Sequence, residues 1–127
     1  MTITAKHTYG WAKEVELMPK LQELFGETLI KTTDRFNKHD WTTENYLIDL
    51  KTRLPPTTEN TYDTWDAPVC KFQESTDKEI ICFYYFEESK NLFYIIYDKE
   101  LFATYKIVAN RNGQATYKIP RQDWTLV

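Results

Sequence analysis

The chain has 127 residues, 42% of them hydrophobic and 16% aromatic, with three glycines and no low-complexity tract or repeat. This suits a single domain over 1–127 and excludes disordered, fibrous and solenoid classes. A formal net charge of −3 removes the broadly basic surface with which general nucleic-acid binders meet phosphate, so any such contact must draw on local basic clusters. No apolar run approaches the roughly 20 residues that span a bilayer. Met1 to Gly10 lacks the basic-then-apolar order of a secretion signal, so the expected location is the cytoplasm, with no membrane partner.

From Tyr9 to Phe25, the residues Trp11, Val15, Leu17, Met18, Leu21, Leu24 and Phe25 recur at spacings of three and four, which predicts a helix. Pro19 is expected to kink it or to start a second segment, and Gly26 supplies a C-terminal stop. Thr28 to Thr33 reads as a first strand, Phe36 to Trp41 as a turn leading into a short second one, and Tyr46 to Lys51 as the next strand. Leu54-Pro55-Pro56-Thr57-Thr58 predicts a rigid, extended loop. In Tyr62 to Phe72, the positions of Trp65, Val69 and Phe72 have roughly helical spacing despite Pro68, and fit a short crossing helix or a partly ordered arm. Ile80 to Phe86 and Leu92 to Tyr97 are dense aromatic and β-branched runs joined by Glu87 to Asn91, a hairpin. Asp98 to Phe102 is read as one helical turn. Thr104 to Ala109 and Gln114 to Ile119 form a C-terminal β-hairpin around Asn110-Arg111-Asn112-Gly113. The order predicts a mixed α+β or α/β fold with one central sheet.

Two cysteines, Cys70 and Cys82, make no C-x-x-C pair; Cys82 lies in an apolar run and reads as a small buried residue, and no zinc site is visible. The aromatic runs Phe83-Tyr84-Tyr85-Phe86 and Phe93-Tyr94 are read as core strands rather than as a base-stacking surface. Trp65 and Trp124 either seal the core or form a dimer contact.

The chemistry concentrates between Asp40 and Arg53. In a strand, Asp49 and Lys51 project from one face while Ile48 and Leu50 pack behind. A carboxylate beside an ammonium is what phosphodiester hydrolysis requires, the acid to hold a hard divalent cation and the lysine to orient water or to stabilise phosphoryl charge. The same grouping is also the polar face of an ordinary half-solvated strand, so context must decide. Lys31, Arg35, Lys38, Lys51 and Arg53 surround it.

That context is a resemblance. Gly10-x-x-x-Glu14 opening a helix, Asp40 before a strand, and Asp49-x-Lys51 on the following strand resemble the PD-(D/E)xK nuclease superfamily. The chain is similar in particular to small phage and large-virus members. In those proteins a Lys-Thr-Arg tail, a Pro-Thr-Thr loop and a Tyr-Asp-x-Glu-Leu-Phe end to an aromatic hairpin follow, matched here by Lys51-Thr52-Arg53, Pro56-Thr57-Thr58 and Tyr97 to Phe102. The resemblance implies a restriction-endonuclease-like core, a central mixed β-sheet flanked by helices. It also implies cleavage of nucleic acid, DNA rather than RNA, with Mg²⁺ or Mn²⁺ as cofactor. It makes Asp40 and Asp49 metal-binding acids, Lys51 the catalytic lysine and Glu14 the helix acid, with Glu16 an ordinary surface acid. Arg35, Lys38, Arg53 and Lys71 become phosphate contacts, and a homodimer would set two sites across a duplex. The chain departs from the pattern at His39, where the family has Pro, at Asp49, where Glu is more frequent, and in its acidic charge. The opposing expectation is a catalytically silent nuclease-fold protein serving protein interaction or virion or complex assembly.

Overall fold

The computed structural model describes residues 12, 13, 16, 17, 19–24, 26, 30, 31, 40–73 and 76–127. Helix α1 is represented by 12–13, 16–17 and 19–24. It is followed by strands β1 (Ile30–Lys31), β2 (Trp41–Thr42), β3 (Tyr46–Arg53), β4 (Thr64–Pro68), β5 (Glu79–Phe86) and β6 (Asn91–Ile96). The single-turn helix α2 (Lys99–Phe102), β7 (Lys106–Ala109), β8 (Ala115–Pro120) and β9 (Thr125–Leu126) complete the order.

β5 sets the architecture. A strand without polar alternation must be covered on both faces, and β5 is buried throughout from Ile80 to Phe86. It lies inside a six-stranded mixed sheet of order β1-β2-β3-β5-β6-β9, parallel to β3 and antiparallel to β6. On one face Ile81, Phe83 and Tyr85 join Ile48, Leu50 and Trp41 against Leu17 and Leu21 of α1. On the other, Ile80, Cys82, Tyr84 and Phe86 meet Trp65, Ala67, Ile119 and Trp124. The run Phe83 to Phe86 is therefore core, Phe93 and Tyr94 pack partly buried against its two faces, and Trp65 and Trp124 seal it, with ring centroids 5.5 Å apart.

The second face is covered by a separate antiparallel sheet, β4-β8-β7. Three expectations are corrected here. A single central sheet was predicted and two are present. The stretch Tyr62 to Phe72 was expected to be a short crossing helix or a partly ordered arm, but it forms β4 and then a 3-10 turn, Val69–Phe72. The physical reason is pairing. Trp65 and Ala67 alternate inward and register opposite Ile119 and Tyr117, so a distant strand overrides the local helical spacing until Pro68 ends the ladder. The Leu54 to Thr58 loop is likewise turned rather than extended, with the Thr57 N–H donating to the Leu54 carbonyl at 3.1 Å.

Elsewhere the local signals hold. Gly26, at φ +65°, closes α1 by donating its N–H to the Gln22 carbonyl at 2.9 Å. Asp98 caps α2, its carboxylate accepting from the N–H groups of Glu100 and Leu101. The β5-β6 hairpin and the C-terminal β7-β8 hairpin form as expected, the latter turning through Gly113 at φ +79°. The fold is mixed α/β, mostly strands in two sheets with little helix among the described residues. None of its described helices is long and apolar enough to cross a membrane.

Candidate functional site

β3 carries two opposite characters on its two faces. Ile48 and Leu50 are buried against α1, whereas Leu47, Asp49, Lys51 and Arg53 face the second sheet alongside Ile80, Cys82, Tyr84 and Phe86, their partners in register. The strand alternation thus turns three charged residues into the space between the sheets.

Asp40 is brought to this face by β2. Its backbone N–H donates to the Ile48 carbonyl at 3.0 Å, and its Oδ2 accepts from the Leu50 N–H at 2.9 Å. Along β3 the two-residue β2 registers with Leu47 and Ile48, so the Asp40 carboxylate takes the next acceptor position along the edge of β3. A buried N–H is satisfied and the acid is fixed in place.

Asp40, Asp49 and Lys51 line one crevice of about 170 Å³, with Ala67, Pro68, Lys71, Phe72 and Cys82 as its other walls. Asp49 is only 5% exposed. Lys71, delivered by the 3-10 turn after Pro68, brings its Nζ to 3.4 Å from Asp49 Oδ1. Burial holds the Lys51 ammonium below its ordinary range, with the nearby Arg53 and Lys71 cations acting in the same direction. Burial also pushes the Cys82 thiol up to about 12, with the Asp49 carboxylate adding to the effect, so Cys82 stays a neutral thiol in this wall.

Among the described residues there is no group of three or more acidic, histidine or cysteine side chains placed to hold a metal ion. The acids present are the pair Asp40 and Asp49. A pair of carboxylates suits Mg²⁺ or Mn²⁺, which retain several waters and share their shell with substrate phosphate, better than an ion needing a full protein cage. Asp40 Oδ2 accepts from the Leu50 N–H, and Asp49 Oδ1 is paired with Lys71.

Arg53 stands outside this crevice, two residues further along β3. Its guanidinium donates to Tyr84 Oη at 3.1 Å and to the Thr52 carbonyl at 3.2 Å, and lies 5.1 Å over the Tyr84 ring. Glu14, Arg35, Lys38 and His39 lie outside the described residues. Glu16 is exposed as expected, and its partner at 2.7 Å is Lys13, a side chain only 7% exposed that also reaches Glu87.

A second and larger pocket, about 320 Å³, opens beside Arg53 and is lined by Tyr62, Trp65, Asp66, Tyr84 and Lys118 among others. Sequence reasoning did not find it. Its walls come from β3, β4, β5 and β8, and the Asp66–Lys118 ion pair joins positions 52 residues apart, a relation no local pattern carries. No known protein family, no curated protein and no solved structure matches this chain.

Proposed function

We propose that the protein is a divalent-metal-dependent nuclease that hydrolyses phosphodiester bonds, of DNA in preference to RNA. The observation that carries this reading is the convergence of Asp40, Asp49, Lys51 and Lys71 in one crevice between the two sheets. The order of the motif, an acid before a short strand and then Asp49-x-Lys51, adds the resemblance to PD-(D/E)xK nucleases, and with it the reading of the larger sheet as a restriction-endonuclease-like core.

In this reading Asp40 and Asp49 would hold Mg²⁺ or Mn²⁺, with Glu14 as a further acid from α1. The ion would supply Lewis-acid stabilisation of the phosphoryl oxygens and a more acidic water. Asp49 is held beside the Lys71 ammonium, and Asp40 is oriented by the Leu50 N–H, so both acids are positioned before substrate arrives. Lys51, partly desolvated and with its pKa lowered by burial, either donates to the phosphoryl oxygens as negative charge develops on them or, when neutral, accepts a proton from the attacking water. Arg53 and Lys71, with Arg35 and Lys38, fix the phosphate backbone by contacts that carry no sequence information.

The test is cleavage of labelled plasmid, single-stranded and branched DNA in Mn²⁺ against EDTA, with Asp49→Asn in parallel. Metal-dependent cutting by the native chain, lost by about 100-fold or more in a folded Asp49→Asn, is expected. Equal cutting by the pure variant sinks the assignment.

The Lys71–Asp49 pair favours a second reading, in which the charges neutralise one another and the domain is a silent interaction or assembly module. A working metal site should raise the melting temperature with Mn²⁺ by mass action. Absence of both cutting and Mn²⁺ stabilisation transfers the assignment to the module.

A further inference from the structure

The 320 Å³ pocket beside Arg53 is separate from the Asp49 crevice. Its composition is unlike that of the Asp49 crevice. Two cations, Arg53 and Lys118, are balanced by two acids, Asp63 and Asp66, and the Asp66 carboxylate is already paired with Lys118. Such a pocket has no excess charge with which to hold a bare phosphate. Its remaining character is aromatic: Tyr62, Trp65, Tyr84 and Phe86 all line it.

Three details point to a flat heteroaromatic ligand. Tyr62 is 62% exposed, a large ring left at the mouth of a pocket rather than folded into the core. Arg53 adds a planar cation that already lies over the Tyr84 face. Trp65, only 4% exposed, adds a fixed indole ring to the pocket wall. The volume lies at the lower end for small-molecule sites and is far too narrow for a duplex.

The position supplies the rest. Lys51 and Arg53 share one face of β3 two residues apart, about 7 Å along the strand. β4 likewise contributes Thr64 to Asp66 to this pocket and Ala67 and Pro68 to the crevice. The two cavities are therefore successive sites along one gap between the sheets.

We propose that this pocket takes a single unstacked nucleobase of the strand whose phosphate enters the Asp49 crevice, so that the substrate is single-stranded or splayed nucleic acid rather than intact duplex. The proposal rests on the nuclease reading for the presence of that phosphate. Tyr62 stacks on the base, Arg53 marks its boundary with the backbone, and the pocket's donors and acceptors meet the base edge.

The experiment is equilibrium binding in EDTA, where no cutting occurs, of a short fluorescein-labelled oligothymidylate and a blunt hairpin duplex of equal length. The native chain is expected to prefer the single strand. Tyr62→Ala, at an exposed position, should weaken single-strand binding by about five-fold or more, and Tyr62→Phe should restore it, because stacking uses the ring and not the hydroxyl. Equal affinity for the two DNA forms, or unchanged binding by Tyr62→Ala, overturns the proposal. The two readings separate cleanly. Tyr62-dependent binding without Asp49-dependent cutting keeps the base pocket and removes the nuclease, whereas Asp49-dependent cutting with Tyr62-independent binding does the reverse.

Discussion

Lys51 is the residue where stability and the proposed chemistry oppose each other. Burial disfavours its charged form, so the folded chain binds that proton more weakly than the unfolded chain does. Between the lowered folded value and the ordinary 10.5, the unfolded state holds more protons, and stability rises with pH through that window. Below the window the penalty is present in full. Lys51→Met should therefore stabilise the protein at neutral pH, by about 1 kcal/mol, while abolishing turnover. Urea denaturation at several pH values checks this: the advantage of the variant should shrink as pH climbs toward 10.5. A variant less stable than the native chain at neutral pH would show that Lys51 is held by its neighbours and not merely tolerated. Asp49 differs in kind, since its charge is matched by Lys71 at 3.4 Å, and its removal leaves a lysine without that partner.

At the scale of elements, β2 is only two residues long, yet it positions the first acid of the site. Its ladder contributes little by itself, and what holds it is Trp41, fully buried among Ile48, Leu50 and the α1 leucines. Trp41→Ala should cost about 3–5 kcal/mol, read from the shift in urea midpoint. Because Asp40 precedes Trp41 and caps the Leu50 N–H, the same variant should weaken Mn²⁺ stabilisation even at temperatures where it is folded. Full retention of the Mn²⁺ effect would separate Asp40 from the proposed metal site. β4 shows the converse relation: its strand character comes from β8, and the turn that follows it is what carries Lys71 to Asp49.

For the whole molecule, the two sheets share one aromatic layer rather than two independent cores. Phe102, fully buried on α2, touches Phe72, Tyr97, Tyr105 and Tyr117, with ring centroids between 4.9 and 5.2 Å, and so links the turn after β4, the end of β6 and the β7-β8 hairpin. Phe102→Ala is expected to lose about 3–5 kcal/mol and to unfold in one transition, with circular dichroism and tryptophan fluorescence coincident. Separate transitions would mean that the small sheet melts on its own and that the gap between the sheets opens independently of the core.

The sequence by itself determined what depends on neighbours along the chain. The faces of β3, the two hairpins, the Gly26 stop and the Asp98 cap follow from period-two alternation, from turn residues and from side chains that bond backbone within a few positions. Those same rules put Asp49 and Lys51 on one face. Only the tertiary structure decided that β4 is a strand, that a second sheet covers this face, that Lys71 reaches Asp49, and that Arg53 belongs to a different cavity from Lys51. Each of these depends on pairing or packing between residues far apart in the chain, whose burial outweighs the weak local preference of the segments involved.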